Sequence, residues 1–268
     1  MRYLVFGDVH GNIDALDAVL AAAQWRGVEG YLFVGDLIGY GPSPLECIAR
    51  LLPLQKQGML AWVAGNHELA VRGTVEMTGY SDEAVRTLEW TREQLATTPE
   101  AREFIAAGPL TAQVNNDIWL AHDSLAESGG GSYHRWPQHA KSELACLRTK
   151  PGRVCFYGHT HALRAELSRG DDEIVLWPME PCGKDVADPH PLHLGVRDAG
   201  WVGVGSVGFP INEGRRPEFL ILDDLDGEDW KIEKYVVTYS REKAKERAVA
   251  TLTPVCGEQI ANRIAKWL

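Results

Sequence analysis

Short apolar runs that end at a glycine and a polar side chain recur along this chain and constrain its fold most. The first three lie at residues 3–6, 31–34 and 60–63, and the segments between them read as helices. In the first segment, Ile13–Trp25, apolar residues recur about every 3.6 positions, and Asn12 is suited to cap the helix. Alternating strands and helices predict an α/β sheet with right-handed crossovers. Functional sites in such sheets lie beyond the carboxyl ends of the strands.

The pattern changes after residue 80. Residues 80–107 carry two helix starts and a helical apolar stripe, which predicts a helical insertion over the sheet edge. Strand patterns follow, and Asn115 and Asn116 between two of them are a hairpin signal. The predicted strands are residues 110–114, 118–121, 154–157, 165–167, 174–177, 201–204, 219–222 and 232–238. Two amphipathic helices are predicted within residues 240–268. Because no linker or repeat divides the sequence, residues 1–268 are predicted to form a single domain.

Composition narrows the class of protein. The chain has 268 residues, 45% hydrophobic and 24% charged, which is enough for a sizeable core. Its net charge of −10 and the lack of a Lys/Arg cluster argue against an extended nucleic-acid groove. Five widely spaced cysteines without a C-x-x-C pair favour reduced thiols. With no signal-peptide pattern and no apolar stretch of membrane-spanning length, we expect a cytoplasmic protein without membrane association.

Five blocks of the sequence have the same form, in which metal-binding side chains follow an apolar strand, usually beside glycine. They are Gly7-Asp8-Val9-His10-Gly11, Gly35-Asp36, Gly65-Asn66-His67-Glu68, Leu120-Ala121-His122-Asp123 and Gly158-His159-Thr160-His161. Any one of them alone is more often a turn or a surface histidine than a metal site. Together they favour one shared site. In a strand-like Asp-x-His both side chains project to the same face, so we expect both to reach one cation.

The blocks contain seven nitrogen or oxygen ligands and no thiolate. These ligand candidates are Asp8, His10, Asp36, Asn66, His122, His159 and His161. Seven ligands are too many for one tetrahedral zinc but suit two cations that share a carboxylate. Two divalent ions and two carboxylates leave a charge of about +2, which attracts anions. Water between two such metals, about 3.5–4 Å apart, loses its proton near neutral pH and can attack phosphorus in line.

In order and spacing, the five blocks resemble the motifs of the calcineurin-like metallophosphoesterase family, and in particular its small bacterial phosphodiesterase-type members. The resemblance runs from residue 1 to about residue 223, where Gly205-Ser206-Val207-Gly208 is similar to a later glycine turn. It implies an α/β fold with four αββα layers, in which two mixed β-sheets are flanked by helices. It also implies two divalent metal ions. Manganese is the expected metal, with Fe, Zn, Ni or Co as alternatives.

The resemblance also implies a role for each site residue. The first metal would be bound by Asp8, His10 and His161. The second metal would be bound by Asn66, His122 and His159. Asp36 would bridge the two metals. His67 matches the family's non-ligand histidine, which contacts the substrate phosphate and protonates the leaving oxygen or stabilises the charge that develops there.

Departures from the family pattern narrow the predicted activity. Protein Ser/Thr phosphatases of this superfamily carry an aspartate and an arginine where this chain has Gly39 and Tyr40, and another arginine where it has Ala64. Fewer cations weaken the hold on a dianionic monoester. We therefore predict hydrolysis of small phosphodiesters, cyclic nucleotides among them, by in-line attack of a metal-bridging hydroxide. The alternatives are a phosphomonoesterase, a dinucleoside polyphosphate hydrolase and a non-enzymatic protein-binding scaffold.

Three further residues each allow a functional and a structural interpretation. Asp123 either orients a metal ligand or caps the next turn. Glu68 either supports local hydrogen bonding or is an acidic residue at a helix start. Arg135, in the glycine-rich loop within residues 126–136, either contacts substrate phosphate or belongs to a plain surface loop.

Overall fold

The computed structural model describes residues 1–127, 138–169, 174–177, 191–225 and 229–268. Within these ranges, twelve strands form two six-stranded sheets and eight helices flank them. The strands are β1 (Arg2–Phe6), β2 (Gly30–Phe33), β3 (Leu60–Trp62), β4 (Thr111–Val114), β5 (Ile118–Ala121), β6 (Val154–Tyr157), β7 (Leu163–Arg169), β8 (Ile174–Trp177), β9 (Leu192–Leu194), β10 (Asp198–Val204), β11 (Glu218–Asp224) and β12 (Trp230–Val236). The helices are α1 (Ile13–Trp25), α2 (Pro44–Lys56), α3 (Asn66–Arg72), α4 (Asp82–Ala96), α5 (Pro99–Ala107), α6 (Gln138–Arg148), α7 (Arg241–Cys256) and α8 (Glu258–Trp267).

Both sheets contain parallel and antiparallel strands. The first has the order β3-β2-β1-β11-β12-β9, and its β1, β2 and β3 are parallel to one another. The second has the order β4-β5-β6-β10-β7-β8, and its β5, β6 and β10 are parallel. Helices α1 and α2 connect the parallel strands of the first sheet, as the alternating pattern predicted. Two mixed sheets with flanking helices confirm the predicted αββα fold class.

The side chains of β1 show how the layers pack. Tyr3 and Val5 belong to the apolar core between the two sheets. Leu4 and Phe6, on the opposite face of the strand, belong to the core formed with the helices outside the first sheet. A strand buried on both faces reads as a continuous apolar run, and this run was the first signal in the sequence.

Most predicted elements are confirmed, and the differences have local causes. Asn115 and Asn116 form the predicted hairpin turn, with φ angles of 54° and 62°. Strands β7 and β10 extend beyond their predicted bounds at residues 165–167 and 201–204. Local sequence patterns did not predict α3, α6 or β9. Helix α3 begins within a polar block and β9 has three residues, so neither shows a periodic pattern. The single-domain assignment stays a prediction.

The helical insertion is confirmed as α4 and α5. Helix α5 lies over β3, the edge strand of the first sheet, where Phe104 stacks on Trp62 with ring centroids 4.5 Å apart and ring planes 3° apart. Both side chains are buried. None of the helices in the described ranges combines the length and apolar character that crossing a bilayer requires.

The loops that follow the parallel strands meet at one edge of the two sheets. The loop after β1 hydrogen-bonds to the loop after β2, with Asp8 N donating to Gly35 O at 2.9 Å and His10 N to Asp36 O at 3.0 Å. In the second sheet the loops after β5 and β6 are joined at His122 O, which accepts from Gly158 N at 3.0 Å. All five sequence blocks follow carboxyl strand ends at this edge.

Replacing Phe104 by alanine should destabilise the protein by about 3–5 kcal/mol, because it removes a large buried ring from the contact between α5 and the sheet. The neighbouring exposed residue provides the control: Glu103→Ala should change the free energy of unfolding by less than about 0.5 kcal/mol. Urea denaturation measures both values. Equal, small effects would show that the insertion does not pack on the sheet as described.

Candidate functional site

The site is built around two groups of side chains that share one edge of the sheets, and a third group, His10, Asp36 and His67, overlaps them. Within each group, one potential ligand atom from each residue lies within 4.8 Å of the others. The first group is Asp8, His10 and His161. The second group is Asp36, His122 and His159. The first group matches the ligands that the family resemblance implied for the first metal. The second group contains two of the three ligands implied for the second metal, together with the shared Asp36. Each group could hold one metal ion.

The first group is held by hydrogen bonds to backbone carbonyls. His10 Nδ1 lies 3.3 Å from Ile38 O, and His161 Nδ1 lies 2.9 Å from Phe209 O. These contacts orient the two Nε2 atoms towards each other at 3.0 Å. Asp8 Oδ1 lies 3.4 Å from His161 Nε2. Such supporting bonds, which fix the tautomer and ring orientation, are typical of histidines that bind metal.

The second group is completed by Asn66, the first residue of α3. Asn66 Oδ1 lies 3.1 Å from His122 Nε2 and 2.9 Å from His159 Nδ1. The orientation of its amide is set by Tyr80, whose hydroxyl accepts from Asn66 Nδ2 at 2.9 Å and donates to Asn66 O at 3.0 Å. Asp36 Oδ2 lies 3.3 Å from His122 Nε2 and 3.8 Å from His10 Nε2. Asp36 therefore lies between the two groups.

The backbone at this site differs from the strand-like conformation that we expected for Asp-x-His. Strand β1 ends at Phe6, and Asp8 and His10 follow in left-handed backbone conformations with φ angles of 51° and 49°. Asp36, His159 and His161 also have positive φ angles, from 54° to 62°. The side chains therefore converge through strained turns and not through strand alternation. Each such non-glycine residue costs about 1–3 kcal/mol, and this kind of strain concentrates at functional sites.

Several electron-pair acceptors face one another in the site, which is the arrangement expected around a cation. Carbonyl oxygens only accept, so His10 and His161 each direct the Nδ1 proton to the backbone and the Nε2 lone pair to the other ring. Two lone pairs 3.0 Å apart repel unless a proton or a cation lies between them. Asp8 Oδ2 is buried and has no hydrogen-bond partner within the described ranges. The residues present thus fit bound divalent cations.

The pKa directions of His159 and His10 agree with this interpretation. Burial lowers the pKa of His159 to about 4 and that of His10 well below its usual value, so their lone pairs are free for a cation. For His161, in contrast, burial opposes protonation but the Asp8 carboxylate outweighs it and raises the pKa. For His122, burial opposes protonation, but the Asp36 carboxylate outweighs it and raises the pKa to about 10. In turn, the charge of His122 outweighs the effect of burial on Asp36 and keeps the pKa of Asp36 well below its usual value. A cation between these two groups would displace a proton.

Glu68 joins two of the blocks. Its carboxylate is completely buried and accepts hydrogen bonds from four backbone N–H groups, at 2.8–3.3 Å. The donors are Gly65, Asp36, Leu37 and Ile38. Burial, reinforced by the nearby Asp36 carboxylate, raises the pKa of Glu68 to about 7. Of the two interpretations of Glu68, the structure supports the one in which it hydrogen-bonds locally.

His67 lies between the ligand candidates and Tyr40. Its Nε2 is 3.9 Å from Asp36 Oδ2, and its backbone N–H donates to Asp36 Oδ1 at 3.0 Å. Its Nδ1 is buried and has no hydrogen-bond partner among the described residues. Gly39, with a φ of 86°, leaves room for this ring, because a Cβ there would lie 2.0 Å from His67 Nδ1. A side chain at position 39 would therefore displace His67.

Two candidate residues remain, Asp123 and Arg135. Asp123 is buried, and its Oδ1 accepts a hydrogen bond from Ser124 N at 2.8 Å, as a residue that caps a turn does. Arg135 and residues 128–137 lie outside the described ranges.

A cavity of about 420 Å³ opens over the candidate metal centre. Five of the seven ligand candidates and His67 line it. The rest of the lining includes Phe209, Arg215 and Trp267, together with Tyr40, whose ring lies beside His10 and His67. In the sequence, Tyr40 stands out only as a departure from the phosphatase pattern, and no motif singles out Arg215 or Trp267. Both follow the matched blocks in the chain, and no short-range pattern connects them to the site.

Comparisons with known proteins agree with the fold and the motifs. Residues 1–163 match the model of a family described as calcineurin-like phosphoesterase. An uncharacterized protein of Methanocaldococcus jannaschii is 26% identical over 267 residues, which cover 98% of this chain and 94% of that protein. The crystal structure of a metallophosphoesterase from Sphaerobacter thermophilus has a TM-score of 0.70 and 24% identity, with both chains covered completely. A hypothetical protein from Pyrococcus horikoshii also has a TM-score of 0.70, at 16% identity, with 99% of this chain and 96% of that one covered.

The family model spans more than half of this chain and includes His67 and all seven ligand candidates. The relatives of similar structure extend the likeness over the remaining residues at the level of the fold. The chain therefore belongs to the calcineurin-like phosphoesterase family, whose members depend on two metal ions.

Proposed function

We propose that this protein is a two-metal phosphoester hydrolase that acts on small phosphodiesters. The observation that supports this most is the position of Asp36 between the two ligand groups, at the base of an open cavity. One cation would be held by Asp8, His10 and His161. The other would be held by Asn66, His122 and His159, and Asp36 would be shared by both. When bound, two divalent cations supply positive charge for the phosphoryl oxygens and lower the pKa of a water nucleophile.

The chain's own residues orient the substrate and assist the leaving group. Asn66 and His67 line the cavity next to Asp36, where a phosphate over the cations would lie. His67 donates to the leaving oxygen, either by transferring a proton or by hydrogen-bonding the charge that develops. The hydrogen bond from the His67 backbone N–H to Asp36 Oδ1 fixes the position of the His67 ring relative to the Asp36 carboxylate.

The charge of the cavity wall favours a diester over a monoester. Among the lining residues that the structure describes, Arg215 is the one lysine or arginine. Position 40 carries a tyrosine and Ala64 is buried, so neither supplies the cation found in protein phosphatases. A diester carries one negative charge at the reacting phosphate, and a monoester carries up to two. A wall with few cations stabilises a dianionic monoester poorly, and we therefore expect it to favour the singly charged diester.

We also propose manganese as the metal and the cytoplasm as the location. The carboxylate and amide oxygens suit manganese, the imidazoles also suit Fe, Zn or Ni, and supply selects among Mn, Fe, Zn, Ni and Co at such sites. The four cysteines in the described ranges are free thiols, as expected in a reducing compartment.

The experiment that tests this function is a screen of manganese-reconstituted protein with phosphodiesters, cyclic nucleotides, dinucleoside polyphosphates and phosphomonoesters. The proposal expects the highest kcat/KM with a diester. A higher value with a monoester or a dinucleoside polyphosphate would replace the diester proposal with that activity. Hydrolysis of none of them would favour a protein-binding scaffold.

Asp36→Asn should lower kcat/KM by at least about 100-fold and leave fewer than two manganese ions per chain. Removing a residue that only supports a ligand costs about 10–100-fold, and Asp36 is proposed to touch both cations. Metal analysis and steady-state kinetics measure the two effects. Asp17→Asn, on the surface of α1, is the control with unchanged values. Wild-type turnover in Asp36→Asn would contradict the mechanism.

His67→Asn should keep both metal ions and lower kcat by about 10²–10⁴-fold, which is the range for loss of a positioned proton donor. If His67 protonates the leaving oxygen, the loss is largest for alkoxide leaving groups and smallest for p-nitrophenolate. A loss that is the same for both leaving groups would assign His67 to phosphate binding instead. Loss of metal would show that it is a ligand.

Glu68→Gln should destabilise the protein by about 2–5 kcal/mol, because the new NH₂ group faces backbone donors and leaves buried N–H groups unsatisfied. Glu46, exposed in the first turn of α2, occupies the corresponding position of its helix and serves as the control. Glu46→Gln should cost less than about 1 kcal/mol. Similar small effects in thermal or urea unfolding would leave Glu68 as an ordinary acid at a helix start.

A further inference from the structure

Three aromatic rings form a wall beside the candidate metal centre. We call Tyr40, Phe209 and Trp267 the aromatic wall. Tyr40 stacks on Phe209 with centroids 4.9 Å apart and planes at 27°, and Trp267 meets Phe209 edge to face at 5.2 Å. The three residues come from the loop after β2, the segment after β10 and the end of α8. Distant parts of the chain therefore build one apolar surface.

The aromatic wall lies directly beside His67 and the metal-ligand candidate His10. The Tyr40 ring centroid is 5.1 Å from that of His67 and 5.2 Å from that of His10. Phe209 lies 5.5 Å from His10, and its carbonyl orients His161. A group attached to a phosphate over the cations would meet this wall first.

Ordinary core packing does not account for Trp267. Phe209 is 7% exposed, as a core residue is, but Trp267 is 40% exposed and lines the cavity. Its position is held by the chain that follows, because Leu268 is buried and its carbonyl accepts hydrogen bonds from the Tyr239 hydroxyl and from Arg241 Nε. An indole that is fixed in place yet left open to a polar cavity is suited to bind a ligand ring.

Arg215 adds a cation to the same cavity. Its side chain is exposed, and its Nη1 is 3.5 Å from Lys266 O, next to Trp267 in the chain. Its backbone φ of 45° is one of the positive values found around this site. A guanidinium beside an aromatic surface provides charge for an anionic group and hydrogen-bond donors for the polar edge of a ring.

From these contacts we infer that the aromatic wall and Arg215 bind the nucleobase side of a nucleoside phosphodiester. This inference rests on the proposed function and names its substrate class. The base stacks on the exposed face of Trp267, Arg215 contacts its polar edge or an adjacent phosphate oxygen, and the phosphodiester lies over the cations. Trp267 thus determines substrate specificity, because it contacts the base and not the bond that is hydrolysed.

The shape and chemistry of the cavity favour a base over the other groups that phosphodiesters carry. A cavity of about 420 Å³ is small for a lipid with acyl chains, which would also leave Arg215 without a partner. An amino alcohol has no ring to stack on an indole, and a sugar ring lacks the aromatic π-face of a base. A nucleoside joins a planar ring, polar ring edges and a phosphate in one small molecule.

The test compares two substrates that share a five-membered cyclic phosphodiester but differ in the base. These are 2′,3′-cyclic AMP and glycerol 1,2-cyclic phosphate, assayed with manganese-loaded protein. The ratio of kcat/KM for the first to the second should fall about 5- to 150-fold in Trp267→Leu, since stacking of a base on an aromatic ring accounts for about 1–3 kcal/mol. Trp267→Phe, which keeps a ring, should retain most of the ratio. Trp25→Ala, at the 85% exposed tryptophan of α1, is the control and should leave it unchanged.

Binding provides a second measurement that does not depend on turnover. By calorimetry, Trp267→Leu should weaken the binding of AMP about 5- to 150-fold relative to that of ribose 5-phosphate. An unchanged ratio in both measurements would overturn the inference, as would a wild-type protein without preference for the nucleoside substrate. In the second case the phosphodiesterase proposal would stand. If the protein hydrolyses no diester, that proposal fails, and the binding measurement alone decides whether the wall accepts a base. Far-UV circular dichroism shows that each variant is folded.

Discussion

The geometry of the site depends on one buried carboxylate, that of Glu68. Glu68 is proposed neither to bind metal nor to contact substrate. Glu68 accepts hydrogen bonds from four backbone N–H groups and so ties the loop after β2 to the start of α3. This contact holds Asp36 in its left-handed conformation, with a φ of 57°, while its side chain points between the two ligand groups. A backbone conformation that is unfavourable by itself persists only where its surroundings over-determine it. Glu68 provides that constraint for the shared ligand.

Backbone strain in the described residues is concentrated where the chemistry is expected. Nine non-glycine residues have positive φ angles in these ranges, and two of them are the hairpin pair Asn115 and Asn116. The other seven belong to the candidate metal centre or line its cavity. Turns of this kind direct side chains from three of the five strand ends, those of β1, β2 and β6, into one small volume, which straight strands could not do. The packed double sheet supplies the stability that such turns require.

The same loops shape the cavity over the candidate metal centre. A side chain at position 39 would enter the space that the His67 ring occupies, and Tyr40 places an aromatic ring beside His67. This arrangement puts apolar surface next to the candidate metal centre. Phe209 and Trp267 then extend that surface, so that one wall of the cavity is suited to a planar group and the other to cations.

The sequence by itself determined the alternation of strands and helices up to β3, the hairpin, the helical insertion and the seven ligand candidates. These features rest on local patterns: apolar runs, turn residues and short motifs with fixed spacing. The tertiary structure alone decided the left-handed turns at Asp8 and His10, the role of Glu68 and the aromatic wall with Arg215. Each depends on contacts between residues far apart in the chain, such as Tyr40 and Trp267. No local pattern encodes them, because packing of the completed fold brings these residues together.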